Sequence, residues 1–422
     1  MRPHLRISTG VQTVNEERLT MDGAVPVTPV DGDETGTIDR ALAAVREHLD
    51  MPIAYLSEFV GETTVFRHVS APGLEAVIKP GDAKSLDEVY CRYILDGRLP
   101  NLIPDTAAIP LARDMPITAA APIGSHVSVP IHRRDGSVYG MFCCLSPQPN
   151  PTLNARDLKV MRMFADLAAE QVQDRLGRDR VWIEATSRTR SMLARGDFDM
   201  VYQPIYRLSD GGLSSFEALC RFRSDPCRTP DVWFADAKIA GLQPDLETVV
   251  VERALAAVAQ LPAGVRLAVN ASPDTVATGR LQALVVAAGA DRITIEITEH
   301  EQSADIAGLT RSVDVLRAAG ARIAIDDVGA GYSGLHQILK LRPDVLKLDM
   351  SLVRDIDLDP ARRALATAMT SFAASTRAHL TAEGVERPEE RNVLRALGIA
   401  YGQGWLFGRP GAIEDARPRV EV

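Results

Sequence analysis

The sequence predicts an α/β barrel of the TIM-like (β/α)₈ type in its C-terminal half, preceded by a smaller α+β domain. From Met200 onward, eight strand-like runs alternate with amphipathic helical stretches. Repeated β-then-α units imply parallel strands, because each helix returns the chain to the same end of the sheet. Eight such units in about 220 residues have the size of a closed barrel. An open doubly wound sheet is the alternative, but no GxGxxG segment follows the first strand.

Composition narrows the class of protein. The chain has 422 residues, of which 46% are hydrophobic and 24% charged, a balance typical of several globular domains. Its net charge of −9 gives no overall attraction to a nucleic-acid polymer or an anionic membrane. No apolar run approaches the ~18 residues of a membrane span, and no apolar stretch follows Arg2 and Arg6 as in a secretory signal. Five scattered cysteines without a CxxC pair indicate a reducing, cytoplasmic location.

The N-terminal half has the pattern of a small mixed domain. Residues 1–35 lack hydrophobic periodicity and are predicted to be a flexible lead-in. A helix is predicted from Thr37 to His48, strands over 53–59 and 64–69, and a hairpin at Asp135-Gly136. A helix over 154–176 closes the domain. The predicted organisation is therefore a domain at 36–175, a helical linker at 176–199, the barrel at 200–412 and a tail at 413–422.

This layout resembles a GAF domain, a small sensory fold with a central antiparallel sheet. The resemblance rests on three segments: CRYILDGRLPNLIPDT, SHVSVPIHRRDGSVYGMFCC and NARDLKVMRMFADLAAEQV. It implies a regulatory domain but identifies no ligand. His126 and His132 allow a haem hypothesis, although a lone histidine in a strand is more often structural.

In the C-terminal half, polar residues gather where predicted strands end. They are Glu217, Asn270, Glu296, Glu299, Asp326, Asp327, Lys347, Glu383 and Glu386. A parallel barrel builds its active site at the carboxyl ends of its strands. So many carboxylates in one place would repel each other unless a cation lay between them. Oxygen ligands suit Mg²⁺ or Mn²⁺ rather than Zn²⁺, so the sequence predicts a divalent metal site.

The same residues indicate a reaction class. One or two such cations could activate water and neutralise a phosphoryl group, with Lys347 stabilising the developing negative charge. Arg221 shares a strand face with Glu217 and could grip a phosphate oxygen. This pattern favours hydrolysis of a phosphodiester. A metal-dependent lyase or racemase acting on a carboxylate substrate would use similar groups and is the alternative from a different class.

Eight ordered motifs make the resemblance specific. Over residues 198–412 the chain resembles the EAL-domain family in the segments YQPIY, FEALCR, VNAS, EITE, IDDVGAGYSGL, LKLD, AEGVE and GQGWLFGRP. The resemblance implies hydrolysis of cyclic di-GMP to linear pGpG, two divalent ions (Mg²⁺ or Mn²⁺) in each subunit, and a homodimer.

The resemblance also implies a role for each matching residue. Lys347 would orient the attacking water, and substrate contacts would come from Gln203, Arg221 and Gln403. Glu299 and Glu386 would support the site from behind, Glu299 by organising the loop after Asp327. The implied metal ligands, most of them also catalytic, are Glu217, Asn270, Glu296, Asp326, Asp327 and Glu383.

One position departs from the family pattern. Val328 follows the aspartate pair where the family usually has phenylalanine. The resemblance places this loop near a dimer contact, so the change bears on regulation or rate more than on chemistry. It also supports an alternative function, a receptor that binds cyclic di-GMP without hydrolysing it.

Overall fold

The computed structural model describes residues 32–223, 227–298, 305–328 and 340–421. Its contacts divide the chain into two units, 1–180 and 181–422. Within the described ranges, no helix combines the length and apolar character needed to span a membrane. All five cysteines are free thiols, and four of them are buried.

The first unit is built on a six-stranded antiparallel sheet with strand order β3-β2-β1-β6-β5-β4. The predicted hairpin is confirmed, because Gly136, at a φ of 82°, lies in the turn between the last two strands. The strands are β1 (Ile53–Val60), β2 (Thr63–Ser70), β3 (Ala83–Ser85), β4 (Leu102–Ile103), β5 (Ser125–His132) and β6 (Val138–Ser146).

Helices cover both faces of this sheet. The helices that begin in the first unit are α1 (Gly32–His48), α2 (Tyr90–Leu95), α3 (Pro110–Arg113), α4 (Pro116–Ala120) and α5 (Ala155–Arg195), with a 3₁₀ turn at Thr106–Ala108. The last of them, α5, continues past residue 180. Alternate residues of a strand face opposite sides. Ala54 and Leu56 therefore pack with α1 and α5, whereas Ile53 and Tyr55 pack with α2 and α3. The predicted α+β class is confirmed.

The helix boundaries differ from the predicted domain limits. Helix α1 begins at Gly32, four residues before the predicted start of the domain at 36. Helix α5 continues from the predicted 154–176 helix through most of the predicted linker and ends at Arg195.

Gly140 provides a test of the sheet packing. A Cβ atom at Gly140 would lie 1.8 Å from the carbonyl oxygen of Ser57 on the neighbouring strand. Since a backbone atom in a paired strand cannot move aside cheaply, Gly140→Ala should lower the free energy of unfolding of this unit by about 3 kcal/mol. The control is Gly177→Ala in α5, where a Cβ meets nothing within 4 Å and about 1 kcal/mol of stabilisation is expected. Denaturant unfolding followed by circular dichroism measures both, and an unchanged midpoint for Gly140→Ala would contradict the packing.

The second unit is a closed eight-stranded barrel with order β10-β11-β12-β13-β14-β7-β8-β9. The predicted barrel is thus confirmed. Its strands are β7 (Phe198–Arg207), β8 (Leu213–Phe222), β9 (Arg266–Ala271), β10 (Ile293–Thr298), β11 (Arg322–Val328), β12 (Val345–Leu348), β13 (His379–Ala382) and β14 (Tyr401–Gly402).

The expectation that all strands run parallel is wrong for β7. This strand is antiparallel to both of its neighbours, β8 and β14. The cause is a tight turn at Asp210–Gly212: the Arg207 N–H donates to the Gly212 carbonyl at 2.9 Å, and Gly211 has a φ of 70°. A hairpin replaces the crossover helix, so the chain reverses direction.

The remaining helices surround the barrel and bury its apolar outer face. As predicted, helices follow four of the strand-like runs over about 246–261, 305–319, 361–376 and 388–397. Their bounds are α6 (Pro230–Ile239), α7 (Gln243–Leu255), α8 (Pro273–Ala277), α9 (Arg280–Ala288), α10 (Ile306–Ala318), α11 (Met350–Val353), α12 (Pro360–Thr376) and α13 (Pro388–Ala396), with 3₁₀ turns at Ala256–Gln260, Ala290–Arg292 and Ile413–Asp415.

Candidate active site

A buried lysine lies at the centre of the carboxylates at one end of the barrel. Lys347 on β12 is only 1% exposed. Its Nζ lies 2.7 Å from Glu296 Oε2 and 2.7 Å from Glu383 Oε1. It also lies 3.1 Å from Asp326 Oδ1 and 3.5 Å from Glu217 Oε2. Four carboxylates from four different strands or strand ends therefore share one ammonium group.

Strand register brings Glu217 and Glu296 together with a third side chain, that of Asn270. Glu217 on β8 pairs with Ala268 of β9, two residues before Asn270. Asn270 in turn pairs directly with Glu296 on β10. Because residues two apart share a face, the three side chains lie side by side within the barrel.

The aspartate pair needs an irregular strand. Consecutive residues of a regular strand face opposite sides, but the β11–β12 register shifts between Ile325 and Val328. Asp327 also has a φ of 55°, a left-handed conformation that is uncommon outside glycine and costs energy. As a result, carboxylate oxygens of Asp326, Asp327 and Glu383 lie within 4.8 Å of one another.

Neutral amides hold Glu217 in place. Asn270 Nδ2 donates to Glu217 Oε1 at 2.8 Å, and Gln403 Nε2 donates to Glu217 Oε2 at 2.6 Å. The same Gln403 nitrogen is 3.0 Å from Gln203 Oε1, and Gln203 Nε2 donates to the Gly408 carbonyl at 3.2 Å. The predicted residues Gln203, Asn270 and Gln403 therefore belong to the same hydrogen-bonded cluster as the carboxylates.

Burial raises the pKa values of the glutamates in the cluster, and the positive charge of Lys347 lowers them. Burial raises the pKa of Glu383 to about 8, with the Lys347 ammonium opposing it and the charges of Asp326 and Glu217 adding to it. Burial also raises the pKa of Glu296 well above its ordinary value. Burial acts the same way on Glu217, but Lys347 and the amide donors outweigh it and lower that pKa. Lys347 stays charged because four carboxylates hold its pKa high against burial.

The donor set fits a divalent cation. Two groups of carboxylates have oxygens within 4.8 Å of one another: Glu217, Glu296 and Asp326 in one, Asp326, Asp327 and Glu383 in the other. Four of these five acids lie within 4 Å of Lys347 Nζ, the one ammonium group in contact with them among the residues that the structure describes. When all five are ionised, their negative charges outnumber this positive charge. Carboxylate oxygens are the ligands that Mg²⁺, Mn²⁺ and Ca²⁺ prefer.

Three predicted residues lie apart from this cluster or outside the described ranges. Arg221, near the end of β8, is exposed, and its Nη1 donates to the Cys220 carbonyl at 2.8 Å. Glu386 faces Arg354, with Oε2 at 3.7 Å from its Nη2. Glu299 lies outside the described residues.

Two supporting carboxylates were not predicted. Glu247 on α7 is buried and accepts both the N–H and the hydroxyl of Ser272 at 2.8 Å, two residues after Asn270. Glu390 on α13 is buried and accepts hydrogen bonds from the N–H groups of Glu386 and Arg387 at 3.0 and 3.1 Å, three and four residues after Glu383. Both sit on the apolar face of a helix, where a charge requires a partner. A glutamate on the apolar face of a predicted helix was therefore the sequence signal that could have identified these two residues.

Comparison with protein families decides the assignment of this unit. The family model described as EAL domain matches residues 186–410, more than half of the chain. The chain belongs to the EAL domain family. A second family model, described as GAF domain, matches residues 31–173. Both resemblances seen in the sequence are confirmed.

Two relatives that match the EAL domain are named as cyclic di-GMP phosphodiesterases, one of them as probable. The probable cyclic di-GMP phosphodiesterase PdeA of Escherichia coli is 28% identical over 236 residues, which is 54% of this chain and 32% of that protein. The cyclic di-GMP phosphodiesterase NbdA of Pseudomonas aeruginosa is 32% identical over 233 residues, 52% of this chain and 30% of that protein. The chain spans about a third of the length of these relatives.

A solved structure extends the likeness beyond the EAL domain. The EAL enzyme Bd1971, solved with cAMP and cyclic di-GMP bound, superposes with a TM-score of 0.53 at 19% identity. The match covers 86% of this chain and 92% of that one. At this identity the likeness concerns the fold alone.

The GAF domain contains its own apolar cavity of about 80 Å³. Buried His126 lines it beside Tyr55 and Tyr90, and burial lowers the pKa of His126 to about 4, so the ring is neutral. Its Nδ1 has no hydrogen-bond partner among the residues that the structure describes. His132 is exposed.

Proposed function

We propose that the chain is a divalent-metal-dependent phosphodiesterase that hydrolyses cyclic di-GMP to linear pGpG. The observation that carries the proposal is the pair of carboxylate groups that share Asp326 beside buried Lys347. The two groups together would hold one or two divalent cations, whose Lewis acidity would serve the hydrolysis of a phosphodiester. The names of PdeA and NbdA support the same substrate.

Cations bound by these oxygens would supply the Lewis acidity that activates water and neutralises phosphoryl charge. The ligands would be Glu217, Asn270, Glu296, Asp326, Asp327 and Glu383. In hydrolysis the water oxygen bonds to phosphorus, the bond from phosphorus to the ribose 3′ oxygen breaks, and that oxygen leaves with a proton.

The chain's own residues would position the reactants. Lys347 donates toward the carboxylates and would hold the water and the developing negative charge between them. Exposed Arg221 is free to turn from the Cys220 carbonyl toward a phosphate, where its planar guanidinium can donate two hydrogen bonds. Gln203 and Gln403 would contact the substrate from β7 and the end of β14.

The direct test is chromatography of the full chain incubated with cyclic di-GMP and Mg²⁺ or Mn²⁺. We expect linear pGpG, no product with a chelator, and at least a hundredfold slower turnover in Glu217→Ala, which removes a carboxylate from the metal site. The matched control is Glu252→Ala, an exposed glutamate on α7, which should keep wild-type turnover. Absence of product at saturating metal, with the protein folded, would contradict the proposal.

The same experiment separates the receptor hypothesis. A receptor would bind cyclic di-GMP tightly in the presence of a chelator and release no product over hours. In that case Val328, 4% exposed and paired with Leu348, becomes the residue to replace by phenylalanine.

We further propose that the GAF domain regulates this hydrolysis and that the chain forms a homodimer. The GAF match supports the first proposal. The dimer proposal rests on the loop after Asp327, and residues 329–339 of that loop lie outside the described ranges. A monomeric mass by light scattering at micromolar concentration would contradict the dimer.

A further inference from the structure

A second cavity lies on the flank of the barrel. Its volume is about 710 Å³, within the range of small-molecule sites. Tyr202 and Pro204 of β7 line it, and they face away from Gln203, which points to the carboxylate cluster. The other walls are α13, the loop 405–409 and the segment 412–421.

The cavity is rich in arginine. Four arginines line it together with two acidic residues, Asp415 and Glu421. Among the described residues, none of the four arginines forms an ion pair with a carboxylate. They are Arg391, Arg409, Arg417 and Arg419.

Main-chain carbonyl groups position two of these arginine side chains without neutralising their charge. Arg391 Nη1 donates to the Glu421 carbonyl at 2.8 Å, and Arg419 Nε donates to the Asp210 carbonyl at 2.7 Å. The main-chain carbonyl of Arg417 accepts from Tyr206 Oη at 2.8 Å, while the side chain of Arg417 is exposed. Carbonyl groups carry no net charge, and the four arginines outnumber the two acidic residues of the lining, so an anion in the cavity would meet a net positive charge.

An aromatic platform adjoins these charges. Trp405 is 57% exposed, which is unusual for so large an apolar side chain. The Arg409 guanidinium lies 4.3 Å from its ring centroid. We infer that the exposed part of the indole can stack on a planar ring. Nucleotide sites combine a stacking surface and arginine in this way.

We propose that this cavity binds a nucleoside polyphosphate, with the base on Trp405 and the phosphates among the arginines. The cavity also shares a wall with the carboxylate cluster. Gly408 lines the cavity and accepts from Gln203, which hydrogen-bonds Gln403, the donor to Glu217. An occupant that moves the 405–409 loop would therefore alter how Glu217 is held, and this effector role rests on the proposed function.

The test uses ATP, adenosine and tripolyphosphate with the full chain in a chelator, so that the metal site takes no part. Calorimetry should show saturable ATP binding. Tripolyphosphate should bind about tenfold more weakly because it lacks the stacking base, and adenosine should not saturate. ATP should quench tryptophan fluorescence in the wild type but not in Trp405→Phe.

Arginine variants make the assignment specific. Arg417→Ala and Arg409→Ala should each weaken ATP binding about tenfold or more. Arg395→Ala, an exposed arginine on α13 that does not line the cavity, should bind as the wild type. Equal affinity for tripolyphosphate and ATP, unchanged binding in Arg417→Ala, or no saturation at millimolar ATP would each overturn the proposal.

The effector role has a separate readout. Added ATP should change the rate of cyclic di-GMP hydrolysis in the wild type and leave Arg417→Ala unaffected. If no variant hydrolyses cyclic di-GMP, the proposed function fails, while the chelator experiments still decide whether the cavity binds nucleotide.

Discussion

Replacing Lys347 by methionine is expected to destabilise the cation-free protein and to abolish hydrolysis. The side chain is 1% exposed, and its Nζ lies within 3.5 Å of four carboxylates. Lys347→Met keeps the volume but leaves several buried carboxylates without their shared cation. Breaking a buried ion pair in this way costs about 3–5 kcal/mol of the free energy of unfolding. The loss of unfolding free energy should be greatest near pH 8. It should be smaller near pH 5, where protonation of the carboxylates relieves their mutual repulsion.

Added cation distinguishes the structural role of Lys347 from its chemical one. Saturating Mg²⁺ or Mn²⁺ should return most of the lost stability, because metal binding favours the folded state and supplies the missing positive charge. Turnover of cyclic di-GMP should nevertheless stay about a thousandfold below wild type, since the metal does not replace the ammonium group beside the reacting water.

The measurements are denaturant unfolding with and without cation and chromatography of the reaction. Lys159→Met, an exposed lysine on α5, is the control and should change neither quantity. An unfolding midpoint for cation-free Lys347→Met equal to that of the wild type would show that Lys347 does not hold the carboxylates together.

Much of this site can be predicted from the sequence. The predicted strand ends and the residue types at them suffice to place the carboxylates and Lys347 at one end of a barrel. Glu217, Glu296 and Lys347 need only regular strands and the pairing register. The reversed direction of β7 could also have been predicted from the sequence. Only a few residues, including Asp210-Gly211-Gly212, separate two strand-like runs, too few for a crossover helix, and such a turn indicates a hairpin.

Other features needed coordinates. Strict alternation along a strand would place the side chains of Asp326 and Asp327 on opposite faces. Their common site therefore depends on an irregular strand register and on the left-handed φ of Asp327, neither of which can be predicted from the residue types. Glu247 and Glu390 are charges on buried helix faces, and the sequence does not say which loop each one holds. The arginines of the cavity on the flank of the barrel come from three different segments, which are α13, the loop 405–409 and the segment 412–421. The packing of these segments against β7 therefore decides that the arginines meet.

Divalent cation affinity is expected to rise about a hundredfold between pH 6 and pH 8, tenfold for each pH unit, because a proton must leave as the metal binds. Burial raises the pKa of Glu383 to about 8 in the cation-free protein, so this carboxyl is protonated over most of that range. A metal ligand must be ionised, and binding therefore displaces the proton. Glu296, whose pKa is also raised by burial, acts in the same direction.

Stability should follow the same linkage with a defined sign. In the unfolded chain Glu383 ionises near the ordinary glutamate pKa of 4.5, whereas the folded cation-free protein keeps the proton up to about pH 8. The folded state thus binds more protons between these values, so the free energy of unfolding of the cation-free protein falls as pH rises through that window. Cation binding, which strengthens over the same window, should offset the fall.

Calorimetry in buffers of different ionisation enthalpy measures both the affinity and the protons released at pH 6, 7 and 8. Glu383→Gln has no proton to lose at this position, so its weaker cation binding should depend less on pH. Glu389→Gln, an exposed neighbour on α13, should keep the wild-type slope. If wild-type affinity were equal at pH 6 and pH 8, Glu383 would already be ionised at pH 6. The effect of Lys347 on the pKa of Glu383 would then outweigh that of burial, as Lys347 and the amide donors together do at Glu217.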